Sequence, residues 1–407
     1  MEHLVSRREF MQASAVATTA ASFSRLAGAN ERIRLGLIGC GGRGTYLLRR
    51  LNVLGGIQWV AICDIWDQRR DKLAPMAGPE VKKYHDYREL LEHKDIDAVV
   101  IASPDHWHAQ MTTDAARAGK DMYVEKPMTS TPDQGPKVVK AVRDSKRILA
   151  VGVQQRSGVH YIEAKEKIID TGQLGQIGLV RTWYDANNGY TFTPPPGMEK
   201  KPEGLDWERY LGWLPKIPWD PKRYFNHFAY WDISTGGQTG GLFVHLVDTV
   251  HWFLGLEKPS AAVAGGGIYH YNDGRDTPDV INLIVEYPQK LNVTFEAEIL
   301  TAPMRWAAEA AMEFRGTGGV LTVYRYPKEF GWVFTRKSES RTPEVITGKG
   351  YAADADPHLK HWLACVREQK RTSADEVSGH YSVMPCHMGN LAYRRRGRVE
   401  WDKKWDV

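Results

Sequence analysis

The chain reads as two units in series: a doubly wound parallel α/β sheet, then a mainly antiparallel, open-sheet α/β domain. Three observations predict this. Short apolar runs alternate with helix-like segments as far as about residue 155. A glycine-rich turn joins the first apolar run to the first helix-like segment. Beyond Ala261 the pattern changes to longer alternating runs joined by short turns. Strand–helix alternation makes a parallel sheet, because each helix carries the chain back to the end where the strands begin. Strands joined by short turns pair antiparallel.

Residues 1–29 stand apart from the fold. Ser6-Arg7-Arg8-Glu9-Phe10-Met11-Gln12 reads as a twin-arginine export signal. A mild Ala/Thr/Ser-rich run follows from Ala13 to Phe23, and Ala27-Gly28-Ala29 predicts cleavage after Ala29. That run is too short to span a bilayer, and no later run does so. The expected location is periplasmic or otherwise extracytoplasmic; the bland alternative is an unstructured cytoplasmic tail.

Residues 30–155 form the first expected domain. Ile33–Ile38 is apolar and leads into Gly39-Cys40-Gly41-Gly42-Arg43-Gly44. Thr45–Leu54 is helix-like, and the apolar run Trp59–Cys63 ends on Asp64. Asp64 follows the last glycine by about 20 residues, the spacing a dinucleotide site requires. Gly39 permits the tight turn. Gly41 keeps the backbone bare for a pyrophosphate. Gly44 lets the helix pack against the sheet. The helix N-terminus offers free N–H groups to phosphate. Asp64 suits both ribose hydroxyls and repels a 2′-phosphate, so NAD is favoured; Arg69 and Arg70 keep NADP open.

The alternation continues with a helix over Tyr87–His93, a strand over Asp97–Ala102 and a helix over Ala109–Ala118. A strand over Asp121–Val124, a helix over Pro136–Ser145 and a strand over Ile148–Val153 complete the Rossmann-type unit. Residues 156–407 form the second domain. It opens with a strand over Ile177–Asp185 and a Pro/Gly/aromatic loop from Asn187 to about Tyr230. A helix over Val244–Leu254 precedes strands near Ala261–Tyr269, Val280–Tyr287, Leu291–Leu300, Ala311–Arg315 and Val320–Tyr324. Helices over Pro357–Glu368 and Ala374–Arg394 close the chain, with room to pack back on the first domain.

Composition is that of an ordinary globular protein, 42% hydrophobic and 25% charged. The net charge of +5 is spread along the chain, without the basic clustering of a nucleic-acid surface. The four cysteines (Cys40, Cys63, Cys365, Cys386) do not form a disulfide framework. His245, Asp248 and His251 spread around a helix, unlike the i, i+4 histidine pair of a zinc helix, so no metal is expected. His358, His361, His380 and His387 read as structural. Trp207, Trp213, Trp219 and Trp231, with Tyr210, Tyr224 and Phe225, suit either a packed Ω-like loop or the apolar face of a sugar.

Ligands of a doubly wound sheet bind beyond the carboxyl ends of its strands. Glu125-Lys126-Pro127 lies at such an end, and a lysine buried there has a lowered pKa suited to proton transfer. Arg156, Tyr184 and Asn187 follow strands near the same cleft and are candidate partners for substrate hydroxyls.

The glycine turn, Asp64, Ser103-Pro104 with His108, and Glu125-Lys126-Pro127 together resemble the Gfo/Idh/MocA oxidoreductases across essentially the whole mature chain. The resemblance implies cofactor contacts at Gly39, Gly41, Gly42, Arg43, Gly44, Asp64, Ser103, Pro104, His108 and Glu125. It implies catalytic roles for Lys126, His245 and Asp248. The family's second motif places an aspartate four residues before the histidine; here that position is Gly241. The implied activity is an exported NAD(P)-dependent oxidoreductase, with a tightly bound nicotinamide, acting on a sugar, polyol or glycoside. Two alternatives stay open: a redox-neutral NAD-dependent glycosidase or lyase, and a nucleotide-binding protein without turnover, which Gly241 favours. The resemblance also implies a homo-oligomer, dimer or tetramer, formed through the open face of the second sheet.

Overall fold

The computed structural model describes residues 32–185, 193–300, 309–327, 329–339, 342–350 and 355–407. The expected export segment and Asn187 lie outside the described residues.

The first sheet has six parallel strands: β1 (Ile33–Ile38), β2 (Ile57–Cys63), β3 (Lys82–Tyr84), β4 (Ala98–Ile101), β5 (Asp121–Val124) and β6 (Leu149–Val151). Their order is β3-β2-β1-β4-β5-β6, that of the Rossmann fold. The crossover helices are α1 (Gly42–Leu54), α2 (Asp67–Ala77), α3 (Tyr87–Leu91), α4 (Asp105–Arg117) and α5 (Gly135–Ser145). Strand order reverses between β1 and β4, which opens a crevice at their carboxyl ends.

Period-two geometry explains why these strands are apolar throughout. Ala98 and Val100 of β4 face one core cluster, whereas Val99 and Ile101 face the other. Both faces are covered. Leu359, Trp362 and Leu363 of α10 (Ala355–Glu368) join the same cluster as Leu35 and Leu37, so the end of the chain packs on the first domain.

The second sheet has nine strands. It begins with β7 (Ile177–Asp185) and continues through β8 (Ala261–Gly267), β9 (Val280–Tyr287), β10 (Leu291–Glu298), β11 (Ala310–Gly316) and β12 (Gly319–Tyr324). β13 (Phe330–Arg336), β14 (Val345–Lys349) and the short β15 (Val399–Glu400) complete it. The order is β14-β13-β12-β11-β7-β10-β9-β8-β15. Every pairing is antiparallel except β7 with β10. β10 shows the alternation: Leu291, Val293, Phe295 and Ala297 are buried, and Asn292 and Glu296 are exposed. Helices α9 (Val244–Leu254) and α11 (Glu376–Arg395) cover the buried face, where Phe243 stacks on Phe295 at 4.6 Å.

The structure adds β3, β13, β14 and β15 to the strands expected from sequence. It also shortens the expected strand at 148–153 to β6, after which residues Gln154–Ser157 turn away and α6 (Val159–Ala164) follows. The aromatic loop contains two short helices, α7 (Trp207–Leu211) and α8 (Pro221–Phe225). Its rings pack on one another, with Trp207 stacked on Tyr210 at 5.0 Å. Backbone bonds from Asp206 N–H to the Ile65 carbonyl (3.0 Å) and from Asp67 N–H to the Gly204 carbonyl (3.1 Å) fasten this loop beside Asp64. No helix among the described residues is long and apolar enough to cross a membrane.

Candidate active site

The site begins where β1 ends. Gly39 has φ +98°, and a Cβ there would lie 2.5 Å from the Ala102 carbonyl oxygen. A Cβ at Gly44 would overlap the Gly39 carbonyl oxygen. Both positions therefore require glycine. Gly42 has open space around it, and the N-terminus of α1 has no side-chain cap and no acidic residue in its first turn. The free N–H groups of that turn form an anion cradle.

Asp64 stands on the cavity wall, 7% exposed. One carboxylate oxygen accepts the Cys40 N–H (2.7 Å) and the other the Trp66 N–H (2.9 Å). Burial pushes its pKa up, against the pull of Arg69 and these two N–H groups. Arg69 lies over the rings of Trp66 (5.3 Å) and Tyr224 (4.8 Å) and reaches the cavity. Arg70 turns to the Asp64 carbonyl and to Asp67 and does not line the cavity. An asparagine at 64 cannot accept from both backbone N–H groups, since one of its two polar atoms is itself a donor. Asp64→Asn is therefore expected to weaken NAD binding by about ten- to a hundredfold, read by calorimetry. Unchanged affinity would remove Asp64 from the cofactor site.

One cavity of about 590 Å³ joins this turn to the Glu-Lys-Pro segment. Gly39, Gly41, Gly42, Arg43, Asp64, Ser103, Pro104, His108 and Glu125 all line it. Gly44 does not; it packs beneath the turn against Gly39. Arg43 Nε pairs with Glu125 at 2.6 Å. The two ring nitrogens of His108 lie 2.7 Å from the carbonyl oxygens of Ser103 and Pro127, and so tie the loop after β4 to the segment after β5.

Lys126, joined to Pro127 by a cis peptide bond, lines the same cavity. Its Nζ donates to the Gly241 carbonyl (3.1 Å) and lies 5.7 Å from the centre of the Phe228 ring. Burial pushes its pKa down, and the carboxylates of Asp105 and Glu125 oppose that shift. Gly241 sits in a π-helical turn, Thr239–Phe243, that runs directly into α9. Such turns recur at functional sites. His245, in the first turn of α9, reaches the cavity. Burial holds its pKa well below the usual range, aided by Arg325 and Lys126, so its ring is neutral. Its Nδ1 is buried without a hydrogen-bond partner.

Arg156 and Asp248, expected from sequence as substrate and catalytic residues, are committed to each other. Arg156 Nε lies 3.0 and 2.9 Å from the two Asp248 oxygens, and Nη2 lies 2.8 Å from Oδ1. Ser382 Oγ donates to Asp248 (2.7 Å), and Arg156 Nη1 donates to the Ser373 carbonyl (3.1 Å). Neither residue lines the cavity. Tyr184 does not line it either: its hydroxyl bonds Tyr326 (2.9 Å), and its ring lies 5.5 Å from the Arg325 guanidinium, which does.

Among the polar residues that line the cavity and that the sequence reading did not assign are Asp105, Gln154, His227 and Arg325. Burial lowers the His227 pKa to about 4. Asp105 had a usable signal, since it directly follows Ser103-Pro104 at a strand end. The other three sit in loops or turns without a motif. Tyr210, Tyr224 and Phe225 of the aromatic loop also face the cavity. Among the described residues no group of His, Cys, Asp and Glu could hold a metal ion.

A Rossmann sheet with this glycine turn, acid and buried lysine, set beside an open nine-stranded sheet, defines a two-domain dinucleotide-binding protein. Residues 33–153 match the family described as "oxidoreductase family, NAD-binding Rossmann fold", and residues 209–322 match the GFO/IDH/MocA C-terminal domain. The chain belongs to the GFO/IDH/MocA family, and its first domain is that family's NAD-binding domain. It is 34% identical to inositol 2-dehydrogenase of Salmonella typhimurium over 150 residues, 36% of this chain and 44% of the relative. It is 32% identical to inositol 2-dehydrogenase of Rubrobacter xylanophilus over 159 residues, 39% of this chain and 45% of the relative. The chain thus spans under half the length of these curated relatives. The fold matches levoglucosan dehydrogenase solved with NADH and levoglucosan, at a TM-score of 0.71 and 17% identity, covering 91% of this chain and 99% of that one. GenD2 from gentamicin A biosynthesis, solved with NAD, matches at a TM-score of 0.70 and 15% identity, covering 91% and 97%.

Proposed function

We propose that this protein is an NAD-dependent oxidoreductase acting on a hydroxyl or carbonyl carbon of a sugar, polyol or glycoside. The observation that carries this reading is the placement of Lys126 in the same cavity as the glycine turn and Asp64. When bound, the nicotinamide supplies the hydride chemistry. The α1 turn and Asp64 hold the dinucleotide by its phosphates and ribose hydroxyls. Lys126 hydrogen-bonds the reacting oxygen. The amine, its pKa lowered by burial, takes the hydroxyl proton during oxidation and returns it during reduction. His245, neutral and beside it in the cavity, orients the same oxygen. The names of the inositol and levoglucosan dehydrogenases support a polyol or anhydrosugar as substrate.

The twin-arginine pattern at Arg7-Arg8 supports export. An exported enzyme has no pool of free NAD, so the cofactor is carried and recycled on the protein. Copies of the chain meet through the open face of the second sheet, where Ile284 is 42% exposed. The test is mass spectrometry of nucleotide released by denaturing the purified mature protein. Near-stoichiometric NAD is the expected result. A protein that releases no nucleotide and binds none when it is added would overturn the reading. A glycoside cleaved to products that are neither oxidised nor reduced would move the assignment to the redox-neutral glycosidase.

A further inference from the structure

Position 241 presents only backbone to Lys126, its carbonyl 3.1 Å from Nζ. No carboxylate reaches the amine from that turn. Asp105, the first residue of α4, lies on the cavity wall at 3% exposure. Its Oδ2 accepts the Thr235 N–H (3.0 Å). Among the described residues it forms no ion pair. A buried charge is costly unless it is paired. The Thr235 bond also ties Asp105 to the segment that leads into the Gly241 turn, through Gly240 N–H to the Thr235 carbonyl (2.9 Å).

We propose that Asp105 is the electrostatic positioning residue for Lys126, serving from α4 in place of a carboxylate at position 241. This rests on the oxidoreductase reading above. In the oxidation, the substrate O–H bond breaks and its proton goes to Lys126 Nζ. The C–H bond breaks with its electron pair, which leaves as hydride to the bound nicotinamide, and the C–O bond becomes C=O. The amine thereby becomes an ammonium in a buried cavity, and Asp105 supplies the negative charge that stabilises it. The other charged and titratable groups that interact with that amine are Glu125 beside it, Arg43 from α1, His245 from α9, Cys386 from α11, His227 from the aromatic loop, and Arg325. Of the two carboxylates, Asp105 exerts the larger upward pull on the Lys126 pKa. It is also the leading upward pull on His227.

The test needs no substrate. Trace labelling with acetic anhydride across pH, read by peptide mass spectrometry, gives the titration midpoint of the Lys126 amine in the full-length mature protein. Asp105→Asn is expected to lower that midpoint by about one unit or more, since removing an adjacent opposite charge disfavours the ammonium. Adding Gly241→Asp to Asp105→Asn is expected to return it toward the wild-type value, because that backbone already touches Nζ. A purely structural role for Asp105 predicts loss of thermal stability with no recovery from position 241. Where Asp105→Asn does not fold, Gly241→Asp alone is expected to raise the midpoint. An unchanged midpoint in a folded variant, or a double variant no different from the single, overturns the proposal. Failure to bind NAD, read separately by calorimetry, would instead sink the oxidoreductase reading.

Discussion

Lys126→Ala is expected to lower hydride transfer by about 10²- to 10⁴-fold, the usual worth of a positioned acid–base group, while NAD binding stays within about tenfold of wild type. The two effects separate because, among the described residues, the amine bonds the Gly241 carbonyl and lies over the Phe228 ring, with no bond to the glycine turn or to Asp64. The pH dependence carries the same assignment. Burial lowers the Lys126 pKa, so the neutral amine forms below the ordinary lysine range. Oxidation rates should rise with pH through that ionisation, because only the deprotonated amine accepts the hydroxyl proton. The variant should lose that limb. Lys126→Arg should fail nearly as badly, because a guanidinium keeps the charge but does not deprotonate. Steady-state rates with NAD, using inositol and levoglucosan as probes, measure all of this; turnover unchanged in Lys126→Ala would remove the lysine from the chemistry.

The parts of the molecule legible in the sequence are those whose physics is local. A turn with φ +98° at Gly39 and a helix pressed onto it at Gly44 admit almost no other residues, so the cofactor cradle announces itself. The helix Val244–Leu254 has the bounds expected of it, because its residues are largely apolar and the following Gly255 marks its end. β13 and β14 were hidden for the opposite reason. Phe330 is exposed while Gly331 and Trp332 are buried, so no clean alternation appears, and β14 is a short edge strand containing Thr, Gly and Lys. The cavity's polar wall was hidden because contacts across the fold assemble it. Asp105 meets Thr235 across 130 positions of sequence, and no spacing rule covers such a pair. His227 reaches the cavity only because the aromatic loop is fastened down beside Asp64.

Asp248 shows how motif spacing and geometry part company, and it yields the second large effect. It lies three residues beyond His245, which invites a shared catalytic role. Three residues turn a helix by about 300°, which leaves the two positions only about 60° apart on neighbouring faces; their surroundings differ nonetheless, for His245 opens on the cavity and Asp248 meets Arg156 and Ser382. The side chains of that pair are 9% and 0% exposed. Removing one partner therefore leaves a buried charge with no compensation. Arg156→Ala and Asp248→Ala are each expected to cost about 3–5 kcal/mol of stability, read from urea denaturation of the purified protein. Replacing both residues together with apolar side chains of similar volume should recover most of that loss, because no charge is then stranded. Such a double variant should also keep hydride transfer, since neither side chain reaches the cavity. A stable Asp248→Ala protein without turnover would reverse the assignment and make Asp248 part of the chemistry. The expected pattern makes the pair a clamp instead. It holds the turn after β6 against α9 and α11.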